Sequence, residues 1–149
     1  MPSDRVQSTF LEVVEKLTFM FGESVTSAEL PSTAGEYSEA WLTFEGAVKG
    51  RLAIIVPSEL TPEIAGNILG LDPSDVQPGE MMADALRELL NVISGHVVMA
   101  LATSQADFQL SAPGYRQLTE AQWVALCEDP DTAPFLLDES PVLLNLKLE

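Results

Sequence analysis

Residues 84–95, DALRELLNVISG, carry two carboxylates and an amide at intervals of four and three, Asp84, Glu88 and Asn91, in an otherwise mostly apolar run. Leu86, Leu89, Leu90, Ile93 and Val97 recur as an amphipathic helix requires. At about 100° per residue, with Glu88 at zero, Asp84 falls near about −40°, Asn91 near about −60° and Gly95 near about −20°. The five apolar residues gather on the opposite side, between about 100° and 200°. The polar strip therefore faces away from the core. Met81, Val92, Val98 and Met99 flank it, and no lysine lies along the helix. A polar centre with an apolar rim, and a glycine that admits a neighbouring backbone, suits a surface that docks a partner. A solvated face accounts for the same residue types, because a helix dipole favours acidic groups in the first turns and an exposed Asn can be incidental. A metal site is not expected: His96 lies about 80° round from Glu88, and two carboxylates with an amide make a poor zinc set. His96 reads as a packing or surface residue.

The elements that must position this strip follow from the rest of the chain. Ser3 and Asp4 can cap a first helix running to Gly22, with Val6, Phe10, Val13, Val14, Leu17, Met20 and Phe21 at spacings of three and four. The Ser-, Thr- and Gly-rich segment that follows holds a short strand around residues 25–30. Residues 37–44 alternate, with Ala40, Leu42 and Phe44 set against Glu39, Trp41 and Thr43. GRLAIIV at 50–56 is a more continuously apolar strand, and EGAVKG between the two supplies hairpin-turn glycines. Thr61 as cap and Pro62 at the first helical position predict a short helix to Leu69, closed by Gly70. The long periodic helix spans about residues 80–102. Residues 108–112 read as extended, Thr119 caps a short helix, and FLLD and PVLLNLKLE are extended, the last as a terminal strand. No repeat or linker divides the chain, so residues 1–149 are expected to form a single domain. Hairpin-like pairs of strands point to an α+β fold, two long helices on a mostly antiparallel sheet.

Composition narrows the function classes. With 149 residues, a hydrophobic share of 46 % and a charged share of 20 %, the chain can bury a core without metals or disulfides. A net charge of −16, from 23 acidic against 7 basic residues, disfavours nucleic acid and anionic membranes. The single cysteine, Cys127, excludes an internal disulfide and a multi-cysteine zinc site. No secretory leader is legible at the N-terminus, and no apolar run approaches the roughly 20 residues of a membrane span. A cytoplasmic protein is expected.

The run Asp84-x-x-x-Glu88-x-x-Asn91, with Pro113 following after 21 intervening residues, resembles the signature of the CheC/CheX chemotaxis phosphatases, with the interval to the proline one residue shorter. GRLAIIVP ahead of a short helix and NVISG after the glutamate look like the CheX branch. The resemblance implies a CheC-like fold and hydrolysis of the aspartyl phosphate of a CheY-like receiver domain, with Glu88 and Asn91 catalytic. Asn91 would enter the receiver's active site and orient a water, while Glu88 contacts the receiver's lysine; Asp84 and Gly95 support docking. It implies no cofactor of the chain's own, the magnesium being the receiver's, and a homodimer paired through its sheet, for which PVLLNLKLE is the candidate edge. Ser8, Glu12 and Glu15 echo the spacing of Asp84, Glu88 and Asn91, but Glu15 stands where a second site needs Asn, so one site per chain is expected. A non-catalytic module that binds a receiver or a flagellar switch protein with the same helix is the alternative.

Overall fold

The computed structural model describes residues 1–31, 35–101 and 108–149. Helix α1 (Asp4–Thr18) starts where Ser3 accepts the Val6 N–H at 3.2 Å and buries Val6, Phe10, Val13 and Val14. It stops four residues short of the expected Gly22. The Thr18 hydroxyl donates to the Val14 carbonyl at 2.7 Å and accepts from the Met20 N–H, and Phe19 turns left-handed with φ 59°. Met20 still reaches the core, but from the turn, while Phe19 and Phe21 stand exposed. The short strand comes earlier than expected, as β1 (Gly22–Ser24); residues 27–29 instead form a 3-10 turn, closed where the Glu29 carboxylate accepts the Thr26 N–H at 2.9 Å.

Strands β2 (Tyr37–Glu45) and β3 (Gly50–Pro57) form the expected hairpin, pairing Phe44 with Gly50 and Tyr37 with Pro57. Helix α2 (Thr61–Leu69) ends at Gly70, φ 73°, as expected, but Thr61 does not cap it. A 3-10 turn (Ser58–Leu60) runs straight into the helix, and the Thr61 hydroxyl donates back to the Ser58 carbonyl at 2.6 Å. Helix α3 (Glu80–Leu101) is the long one; Ala102, the expected end, lies outside the described residues. Then come β4 (Gln109–Leu110), β5 (Gly114–Leu118), α4 (Glu120–Glu128), β6 (Thr132–Leu137) and β7 (Ser140–Leu148). Thr119 caps α4, accepting from the Gln122 N–H at 3.2 Å. β5 was not expected: in GYRQL only Leu118 is buried, so the stretch lacks an apolar alternation.

The seven strands among the described residues form one antiparallel sheet in the order β1-β6-β7-β3-β2, with β4 and β5 both pairing the outer side of β2. The terminal strand β7 is therefore internal. Its backbone pairs with β3 on one side and β6 on the other, which removes it as an edge for a second copy. Its run of buried residues, Pro141 to Leu146, matches a strand covered on both faces. On one face Ala40, Leu42, Phe44, Leu52, Ile54, Val56 and Leu144 pack with α1, α2 and α3. On the other, Tyr37, Ala53, Ile55 and Leu143 meet α4, whose Trp123 stacks on Tyr37 at 4.2 Å.

Candidate functional site

α3 is a buried wedge with one open face. Leu86, Leu89, Leu90, Ile93 and Val97 are each 1 % exposed or less, as the wheel requires, while Asp84, Glu88 and Asn91 are exposed and Gly95 half-buried. The apolar rim is smaller than expected. Val98 belongs to the core, Val92 packs partly against it, and Met81 closes a small cluster with Ala65, Val76 and Ala85. Only Met99 of the four is exposed, with His96 also exposed one residue past Gly95. A side-chain carbon added at Gly95 meets nothing within 4 Å, so the chain does not itself need that glycine; the space beside it opens outward.

The three polar residues of the strip differ in what holds them. Arg87 donates to the Asp84 carboxylate at 2.7 Å, stands 3.8 Å from Glu80, and lies over the Tyr115 ring at 5.8 Å. Tyr115 is fixed in turn: its hydroxyl meets the Ser38 hydroxyl at 3.0 Å, and Ser38 meets Ser58 at 2.9 Å. Pro113 is half-buried immediately before β5, the strand that brings Tyr115 beneath α3. Among the described residues, by contrast, none hydrogen-bonds the side chain of Glu88 or Asn91. Three residues apart, these two lie about 4.5 Å apart along the helix axis. The Arg87–Tyr115 contact was not legible in the sequence; its one local signal was the only basic residue of the stretch, three positions after Asp84.

Other candidates for chemistry are occupied or unsuited. Glu15, at the position on α1 that echoes Asn91, accepts the Gly22 N–H at 3.4 Å. Glu39, 1 % exposed, is clamped by Arg116 at 2.6 Å and Arg51 at 3.2 Å. Burial pushes the Cys127 thiol up, with Glu128 adding to the shift, so little of it is the nucleophilic thiolate. No three His, Cys, Asp or Glu side chains gather to hold a metal among the described residues, where also no helix is long and apolar enough to cross a membrane. Of cavities of about 500, 450 and 430 Å³, the last lies beside the strip, lined by Glu80, Arg87 and Tyr115, but neither Glu88 nor Asn91 lines any of the three. An open carboxylate and amide on a helix, lining none of these cavities, can act only when another surface closes over them.

Residues 39–127, more than half of the chain, match the family described as chemotaxis phosphatase CheX. No curated protein matches the chain. Among solved structures, CheX from Vibrio vulnificus superposes with a TM-score of 0.70 at 20 % identity, covering 98 % of this chain and 95 % of that one. The CheX-CheY-BeF3-Mg complex of Borrelia burgdorferi matches with a TM-score of 0.69 at 18 % identity, covering 98 % and 96 %. A CheC-like superfamily protein from Shewanella matches with a TM-score of 0.63 at 16 % identity, covering 100 % and 99 %. The α+β architecture is thus the CheC-like one.

Proposed function

The chain belongs to the CheX family of chemotaxis phosphatases, and from that premise we propose that it hydrolyses the aspartyl phosphate of a CheY-like receiver domain. The observation that carries the reading is the pair Glu88 and Asn91, exposed on one face of α3 and unpartnered among the described residues. Support for the partner comes from the Borrelia relative, whose structure is a complex of CheX with CheY, BeF3 and Mg.

An acyl phosphate is already activated, so catalysis consists of holding a water in line with the phosphorus. The water oxygen bonds to phosphorus as the bond from phosphorus to the aspartate oxygen breaks. The aspartate leaves as carboxylate, and the water's protons pass to the phosphate and solvent. Asn91 suits the orienting role because its amide is neutral: the carbonyl accepts a water proton and the NH2 donates, where a carboxylate would be repelled by the phosphoryl oxygens. Glu88, nearly one turn away, pairs with the receiver's lysine and fixes the register. Gly95 supports docking, while Asp84 is held within the chain by Arg87. Magnesium belongs to the receiver's own site in this reading, where it neutralises the developing charge. The chain acts in the cytoplasm as a homodimer, and β7 being internal, its sheet contact falls to the edge strands β1, β4 or β5.

The test mixes the protein with phosphorylated CheY and follows the decay of the phosphoryl signal. Wild type accelerates decay and N91A does not, although its circular dichroism is unchanged. Binding without acceleration would replace this reading with a receiver-binding module.

A further inference from the structure

We infer that Arg87 is a positioning residue: it masks Asp84, so that a partner's lysine finds Glu88 as the one free carboxylate of the strip and Asn91 docks in a single register. The inference rests on the phosphatase reading above and adds to it the device that sets the register. Asp84 and Glu88 sit one turn apart on the same face, about 6 Å along the axis. Either could pair with an incoming lysine, and the two pairings would differ by a slip of one turn. A slip of that size moves Asn91 far outside the tolerance of a positioned water, since about 1 Å can cost a hundredfold in rate.

The structure removes the ambiguity on one side only. Arg87 holds the Asp84 carboxylate at 2.7 Å and repels a second cation there. An isolated exposed pair of this kind is weak and mobile. This guanidinium is also held over the Tyr115 ring at 5.8 Å and lies near Glu80, and its side chain is only 30 % exposed. Tyr115 is anchored by its hydroxyl to Ser38 on β2, so the mask is tied to the sheet and not only to the helix. Among the described residues Glu88 has no comparable cation: its neighbour in sequence, Arg87, points round the helix, because adjacent residues do not share a face.

Unmasking Asp84 creates a second, non-productive way to bind. Non-productive binding has a distinctive signature, because kcat and KM fall by the same factor while kcat/KM is unchanged. Steady-state hydrolysis of phosphorylated CheY by wild type, R87A, R87M and R87A/D84N reads this directly. R87A is expected to lower kcat and KM together, two- to fivefold. R87M keeps an aliphatic stem over Tyr115 without the charge and gives the same split, which excludes damage to β5 as the cause. R87A/D84N removes the decoy and brings both constants back up. A raised KM in R87A, a fall in kcat/KM, or failure of D84N to restore the constants overturns the inference while leaving an active phosphatase. An inactive wild type instead brings down the phosphatase reading, and this inference with it.

Discussion

Glu39 and Glu88 are the same side chain in opposite circumstances. Glu39 sits in the sheet, 1 % exposed, with Arg116 and Arg51 on its carboxylate; Glu88 sits on the outer face of α3 with no cation on it among the described residues. The chain has 7 basic residues against 23 acidic ones, and Lys49, Arg51, Arg87, Arg116 and Lys147 are all paired. Two of these cations, Arg51 and Arg116, stand on the buried Glu39 carboxylate, while Lys49 pairs with the exposed Glu45. With so few cations most carboxylates must stand bare, so it is the presence of cations on Glu39 and on Asp84 that is informative. Removing partners from Glu39 should cost stability, whereas altering Glu88 should cost recognition.

The largest effect is expected on the buried side. R51M/R116M keeps the aliphatic stems but leaves the Glu39 carboxylate without a cation, a loss of about 3 kcal/mol in urea unfolding. Phosphatase activity per folded molecule should stay near wild type. Loss of activity in the folded double variant would mean that the two regions are coupled and the contrast is false.

On the exposed side N91A comes next. A hundredfold fall in the hydrolysis rate, equivalent to about 2.7 kcal/mol, is expected if the amide orients the water. Unfolding free energy should stay within about 0.5 kcal/mol, since the side chain is exposed and makes no hydrogen bond to the described residues. E88Q should be milder and of another kind. It raises KM about tenfold with kcat nearly kept, and the gap to wild type narrows as salt rises, the behaviour of an exposed charge contact. A fall in kcat with KM unchanged would move Glu88 from docking to chemistry.

Local periodicity made the α3 strip and its buried side legible, because both depend only on residues within three turns of each other. The β2–β3 hairpin and the Thr119 cap were legible for the same reason. Where the answer depended on distant partners, the sequence failed. Met20 and Phe21 continue the apolar rhythm of α1, yet the Thr18 hydroxyl diverts the chain, and Asp138, far along the chain, takes the Phe21 N–H at 2.8 Å. GYRQL is a strand because β2 offers it an edge, not because of its own pattern. A strand ending the chain looked like an edge, although the consecutive apolar residues Val142, Leu143 and Leu144 were the sign that both faces are covered. Arg87 beside Asp84 was visible; Tyr115 beneath it was not, since β5 brings it there.

The smallest expected effect gives the sharpest test of the open face, because it sets stability against function at one atom. Gly95 lies inside α3, where glycine is the poorer helix former by about 0.5–1 kcal/mol relative to alanine. An added methyl has open space, so nothing among the described residues opposes G95A, and the variant should unfold later by that amount. If a receiver's backbone comes down beside Asn91, the same methyl stands in its way, and kcat/KM should fall severalfold through KM. A stabilised variant with poorer docking ties the glycine to the partner, since the chain alone gains from losing it. A stabilised variant with unchanged kinetics would shrink the docking face to the stretch between Glu88 and Asn91, and Gly95 would have no part in it.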